Sequence, residues 1–239
     1  MKPLLLTVFL FFTSIMLSAC NSGHESWHYK MTVTVETPEG DISGSAVRVM
    51  ANSSPALSLP DAGSSASVRG EAVVVDLGER GVLFALISHD SDREFYATFP
   101  VPNNKGGATP EGIAYYASLP AGKKKDMNPF SGAGYPKLVT FKDINDPKTV
   151  TLLQEYERCR AGSKRAKACK EQGPHLINDR FEEMFGEGVR IKNITLEITD
   201  EPVTWGVVDQ YLPPKARGLN MTYSYFSWPN KVARMTTEN

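Results

Sequence analysis

From Val189 to Thr199 the apolar residues Val189, Ile191, Ile194, Leu196 and Ile198 alternate with charged or polar ones, apart from one slip at Lys192-Asn193. The same period of two begins at Trp27, where Tyr29, Met31, Val33 and Val35 alternate with Lys30, Thr32, Thr34 and Glu36. Successive side chains of a strand point to opposite faces, so this spacing predicts strands with one buried and one wet face, and it excludes amphipathic helices there. A slip of one residue inside such a pattern predicts a bulge, which restores the alternation at the cost of one unpaired residue.

Other stretches extend the sheet. Pro38-Glu39-Gly40-Asp41 reads as a turn into a second strand over Gly44 to Met50, making a first hairpin. Residues 52 to 69 are small and polar and read as a loop. Ala72-Val73-Val74-Val75 and Val82 to Ile87 are continuous apolar runs around Gly78-Glu79-Arg80-Gly81, the pattern of a central hairpin covered on both faces. A short strand is expected over Phe95 to Val101, and residues 102 to 136 read mostly as connection. Inside it, Thr109-Pro110-Glu111 starts a helix that ends before Pro120, and Lys123-Lys124-Lys125 reads as a solvated loop. Leu138 to Phe141 and Thr149 to Leu153 are extended on either side of a turn at Asp143 to Pro147. Asn178 is placed to cap a short helix through Phe181 and Met184-Phe185, with Gly186 ending it. Trp205 to Val208 is expected to continue the last long strand, and Tyr223, Tyr225 and Phe226 to form a closing one. The fold class expected is mainly β: an antiparallel sheet, sandwich- or barrel-like, with one or two short helices.

The first twenty residues set an address. Met1-Lys2 and the apolar run from Leu4 to Met16 have the form of a secretory signal, too short to span a bilayer comfortably. The run closes on Leu17-Ser18-Ala19-Cys20, which resembles the lipobox of bacterial lipoprotein signal peptides. That resemblance implies a diacylglyceryl group on the Cys20 thiol, cleavage before Cys20 and acylation of the new amine. Leu17 suits the general signal peptidase poorly, and Thr13 and Ser14 in the apolar run argue against an uncleaved anchor. Asn21, rather than Asp, after the cysteine implies the outer membrane by the enteric sorting pattern, with the protein on its periplasmic face. The expected organisation is a signal over 1–19, a lipidated cysteine and polar tether over 20–26, one β-rich domain over 27–228 and a loose tail over 229–239. Six extended tether residues reach about 20 Å at most.

Charge narrows the partners. The chain carries 26 Lys+Arg against 27 Asp+Glu, so nothing overall favours nucleic acid or an anionic surface. Of the three cysteines, Cys20 is assigned to lipid, which leaves Cys159 and Cys169. In an oxidising compartment these are expected to pair as a structural disulfide. It would pin a helical or loop insertion at about 156–173 that holds the one local basic cluster: Arg158, Arg160, Lys164, Arg165, Lys167 and Lys170. Two cysteines ten apart without flanking histidine make a poor zinc site.

No catalytic constellation emerges. His24 and His28 flank the tether at a spacing that suits a metal only on a helix, and Ser88-His89-Asp90 is adjacent in sequence, which is no evidence for a triad. Gly106-Gly107 lacks the spacing and the lysine of a phosphate loop, and the fourth histidine, His175, has no motif around it. The Asn52, Asn193 and Asn220 sequons carry no information in a bacterial envelope. No catalytic residue, metal or cofactor is therefore assigned. Asp143 to Val150, and Val189 to Thr204, also resemble segments of uncharacterised exported proteins of Gram-negative bacteria. This likeness spans most of Trp27 to Leu212, treats the cysteine loop as an addition, and implies export and a shared fold but no activity. The expectation is a lipid-anchored, non-catalytic binding or assembly module with an envelope protein as partner. Its candidate contact surfaces are the basic cysteine loop and the 102–136 connection. The alternatives are a periplasmic hydrolase with His89 as base, or an inhibitor or immunity lipoprotein that inserts the basic loop into an acidic cleft.

Overall fold

The first hairpin is built on a two-residue turn at Pro38-Glu39: β1 (Gly23–Thr37) pairs with β2 (Gly40–Ser54) along the full length of both. The computed structural model describes residues 23–55, 63–88, 90–157, 173 and 175–214. The remaining strands are β3 (Ser65–Arg69), β4 (Val73–Asp76), β5 (Val82–Ala85), β6 (Lys124–Asp126), β7 (Leu138–Phe141), β8 (Val150–Leu152), β9 (Gln154–Glu157), β10 (His175–Asp179) and β11 (Arg190–Thr199). Four short α-helices accompany them among the described residues: α1 (Ser91–Thr98), α2 (Pro110–Ala117), α3 (Phe181–Phe185) and α4 (Val208–Tyr211). The protein is mainly β with antiparallel pairing in every sheet. The described residues form three sheets, in the orders β3-β2-β1-β11-β6, β4-β5-β7-β8 and β10-β9.

Alternation does what the sequence predicts in the largest sheet. Trp27, Tyr29, Met31, Val33 and Val35 of β1 are buried, and the register sets Ile198, Leu196 and Ile194 of β11 opposite Tyr29, Met31 and Val33. The slip at Lys192-Asn193 is a bulge: Asn193 faces Thr34 and Ile191 faces Val35, leaving Lys192 as the extra residue. The opposite face of this sheet is polar and crossed by ion pairs, Arg190 with Glu36 at 2.7 Å and Lys192 with Asp41. The inner face packs on β4 and β5 in one core with Val73, Val75, Leu83 and Leu138. The outer face of that second sheet has its own cluster, where Ala72, Val74, Phe84, Leu86 and Val139 meet Val208 and Leu212. Burial on both faces explains why the runs at 72–75 and 82–87 are apolar without alternation. The β4–β5 hairpin forms one end of its sheet rather than the centre, because β4 turns its far side to β2.

Strand β2 is the hub. Its outer side meets β3 over Val49 to Ser53. Beyond the end of β3, Val47 takes Thr204 as partner: the Thr204 amide donates to the Val47 carbonyl at 3.0 Å, and the Val47 amide to Thr204 Oγ1 at 2.9 Å. Further on, Gly44 lies against β4 so closely that a Cβ there would stand 1.8 Å from the Val74 carbonyl oxygen.

Several expectations are corrected. Residues 23–26 are strand and not tether, since the backbone ladder continues from Gly23 opposite Ser54 although the side chains there are polar. Residues 52–54 and 65–69 are likewise strand within the expected loop. Phe95 to Val101 is not a strand. Ser91, Glu94, Phe95 and Thr98 form the buried stripe of α1, a helical spacing concealed in the sequence because three of the four are polar. Lys124 and Lys125 belong to edge strand β6, paired with Glu197 and Leu196 of β11. Asn178 lies in β10, and the amide of Phe181 at the start of α3 donates instead to Asp179 Oδ1 at 3.0 Å, while Gly186 ends that helix at φ 100°. Trp205 to Val208 turns into α4 rather than extending β11. The α2 expectation holds: Thr109 Oγ1 accepts from the Gly112 amide at 3.2 Å, with Pro110 in the first turn. The four helices exceed the one or two expected.

Helices α1 and α2 close one end of the core through aromatic rings. Trp27 lies 5.1 Å from Tyr116 and 5.9 Å from Phe95, and Tyr96 stacks on Tyr116 at 5.6 Å. The Tyr116 hydroxyl donates to the Phe99 carbonyl at 2.9 Å, joining the two helices. The Arg48 side chain is wholly inside: its Nε donates to the Glu71 carbonyl at 3.1 Å and its Nη2 to that of Ala85 at 2.9 Å.

Candidate interaction surface

Strand β9 continues from β8 through Leu153, whose carbonyl accepts from the Arg180 amide at 2.9 Å just after β10 ends. The β9–β10 ribbon therefore leaves the second sheet as a two-stranded arm. Its register pairs Leu176 with Tyr156 and Asn178 with Glu155, so Ile177 is the bulged residue. A chain of hydrogen bonds stiffens the base. The Tyr156 hydroxyl donates to Gln154 Oε1 at 2.7 Å, Gln154 Nε2 donates to Asp179 Oδ2 at 2.7 Å, and Asp179 Oδ1 holds the first amide of α3.

Onto this arm folds the turn after β6. The Phe130 ring meets Tyr156 edge-on at 5.5 Å, and Tyr135 does so at 6.0 Å. The turn is self-supporting, with Asn128 Oδ1 accepting from the Phe130 amide at 2.9 Å and Ser131 Oγ from the Gly134 amide at 3.0 Å. Burial pushes the Tyr156 hydroxyl pKa up, and the neighbouring Tyr135 and Asp179 push the same way, so this phenol is a fixed neutral donor at ordinary pH. Tyr135 is raised mainly by burial too. Phe130, Leu176 and Ile177 are exposed. Three of the four exposed large apolar side chains among the described residues thus gather at this ribbon, and Trp205 is the fourth. Exposed apolar groups beside the polar Glu155, Asn178 and Asp179 of the same ribbon have the composition of a protein contact.

Of the residues singled out in the sequence, Cys20, Cys159, Cys169 and His89 lie outside the described residues, as do the expected closing strand at 223–226 and the tail. The other three histidines are scattered. His24 is exposed on β1, the Nδ1 of His28 sits 2.7 Å from the Glu201 carbonyl, and that of His175 sits 3.0 Å from the Gly173 carbonyl. Among the described residues no group of three His, Cys, Asp or Glu is placed to hold a metal, and no helix is long and apolar enough to cross a membrane. Gly106-Gly107 serves packing: the Gly107 carbonyl accepts from Asn52 Nδ2 at 2.9 Å, and a Cβ at Gly107 would strike the Tyr96 ring. Of the two segments expected to carry recognition, the 102–136 connection delivers Phe130 to the β9–β10 arm, and the basic cysteine loop over 158–172 lies outside the described residues.

Sequence reasoning passed over Phe130, Leu176 and Ile177. One signal was available: Pro129-Phe130-Ser131-Gly132 puts a large aromatic in a turn of small residues. Leu176-Ile177 shows no alternation, and both are exposed because the two-stranded ribbon is not covered there by described residues and Ile177 is bulged. No protein-family model, curated protein or solved structure matches the chain.

Proposed function

We propose that this chain is a bacterial envelope lipoprotein, acylated at Cys20 and held at the periplasmic face of the outer membrane, that acts as a non-catalytic binding or assembly module. In this reading a sandwich-like β body carries a protein-binding surface at the β9–β10 arm, and a Cys159–Cys169 disulfide pins the basic insertion that joins its strands. The observation that carries it is the Phe130, Leu176 and Ile177 cluster, exposed on a base made rigid by Tyr156, Gln154 and Asp179. Rigid exposed aromatic and aliphatic groups are what protein interfaces use as anchors, because little side-chain entropy is lost on binding. The lipobox-like Leu17-Ser18-Ala19-Cys20 supports the anchor.

The test is a crosslinking pull-down from intact envelopes with tagged wild type, Cys20→Ser, and the pair Phe130→Ser with Leu176→Ser. A defined partner is expected with wild type, lost in the patch variant at unchanged abundance and thermal stability, and lost or weakened in Cys20→Ser. Equal capture by wild type and patch variant removes this surface from the function.

A further inference from the structure

The sheet starts almost at the anchor. β1 begins at Gly23, so only Asn21 and Ser22 separate it from Cys20, and three residue steps span about 10 Å at most. A folded body on so short a lead has little freedom to turn away from its anchoring point.

Specific residues surround that starting point. Gly23 and Glu25 pair with Ser54 and Asn52 at the end of β2, and Ser53 pairs with Ser65 at the start of β3. Asn52 reaches the Gly107 carbonyl, and a Cβ at Gly23 would touch Ile113 of α2 at 3.7 Å. The loop that carries Lys105, paired with Glu111 at 3.5 Å, therefore belongs to this end. Among the described residues, the exposed charged and titratable side chains of this end include His24, Glu25, Lys105 and Glu111, nearly balanced in charge. The exposed large apolar groups of the described residues stand elsewhere. Tyr135, which backs Tyr156, meets the backbone of Ile194, and Ile194 is paired with Val33. Val33 is ten residues from Gly23, about 33 Å along the strand. Trp205 follows Thr204, which docks on Val47 opposite Lys30, also well up the hairpin.

We infer that the end of the β1–β2 hairpin with the Lys105 loop rests on the phospholipid headgroups, and that the protein stands on this end with its binding arm held about 30 Å above the bilayer. The anchor is then a mount rather than a leash. The described residues of this end are polar and charge-balanced, which suits a hydrated headgroup layer without insertion, and the exposed apolar groups at the arm remain free for protein. The inference rests on acylation of Cys20.

The experiment places a benzophenone side chain singly at Lys105 and at Glu39 in the hairpin turn, irradiates intact envelopes, and reads phospholipid adducts by mass spectrometry. The N-terminal peptide in the same spectra reports the acyl chains on Cys20. Adducts are expected at Lys105 and at least several-fold fewer at Glu39. A flexible Gly-Ser insert of about a dozen residues after Ser22 is expected to lower the Lys105 adducts several-fold while Cys20 stays acylated. Similar adduct yields at both positions, none at Lys105, or no change with the insert would overturn the mount. An unacylated Cys20 would overturn the lipoprotein reading itself, which is a distinguishable result.

Discussion

Arg48 carries a permanent charge into the core and finds two backbone carbonyls there, one just before β4 and one at the end of β5. It ties β4 and β5 of the second sheet to β2, and the side chains of Glu71 and Glu94 are buried as well. Arg48→Met removes a donor from each carbonyl and leaves two buried acceptors unpaired. A loss of about 3 kcal/mol or more is expected, read as a lower urea midpoint at unchanged slope. Across the strand pair, the Tyr29 hydroxyl is pushed up to about 12, mainly by burial, with Glu94 raising it further and Arg48 opposing. Burial also lifts Tyr96 to about 12. An unfolded tyrosine ionises near 10, so above that pH the unfolded chain loses protons that the folded one keeps, and stability falls as pH rises from about 10 to 12. A pH series of urea unfolding should show that fall, and Tyr29→Phe should make it shallower. A slope unchanged by Tyr29→Phe would mean that this phenol does not titrate as its burial requires. Gly44 is constrained by steric contact instead. Gly44→Ala drives a methyl into the Val74 carbonyl, and calorimetry should show a melting temperature lowered by the equivalent of about 3 kcal/mol or more.

At the scale of elements, the edges of the largest sheet differ in how they are protected. β6 is three residues long, fully exposed and contains Lys124 and Lys125, so a second sheet edge that docks there must bury ammonium groups. Lys124→Val with Lys125→Val should leave the fold intact and cause concentration-dependent self-association, seen by sedimentation velocity; a monomer at all concentrations would show that the lysines are not the guard. These same lysines mark where the sequence stops being legible. Period two was readable in β1 and β11 because one face is buried along the whole element, and the bulge at Lys192 was readable for the same reason. Nothing in Lys123-Lys124-Lys125 signals a strand, since its pairing is imposed by β11 and its side chains are all wet. Helix α1 was hidden because Ser91, Glu94 and Thr98 are polar although buried. The candidate surface escaped because it depends on Phe130 meeting Tyr156 across 26 residues of chain, a contact that no local pattern encodes.

The whole molecule is closed by the segment that follows β11. Glu201 leaves the sheet in an ion pair with Lys30, Thr204 docks on Val47, and α4 then covers the outer face of the second sheet through Val208 and Leu212. Glu71 fastens this strap: its buried carboxylate accepts from the amides of Val207 and Val208, both at 3.2 Å, and a farther contact joins the Tyr211 hydroxyl to Asp76 at 3.1 Å. One glutamate at the entry to β4 thus connects the last described helix to the hub formed by β2 and Arg48. In Glu71→Leu the buried Val208 amide and the part-buried Val207 amide lose their acceptor, while the cross-strand pairing of β1 with β2 and β11 is untouched. The strap should then open below the global unfolding energy, because local openings follow the weakest contiguous set of contacts. Native-state hydrogen exchange should show amides 204–212 losing most of their protection in Glu71→Leu while those of β1 and β11 keep theirs. If protection fell uniformly through the molecule, the strap would be part of a single cooperative core with the two sheets. If it did not fall at all, Thr204 and the Val208–Leu212 contacts would hold the segment without the carboxylate.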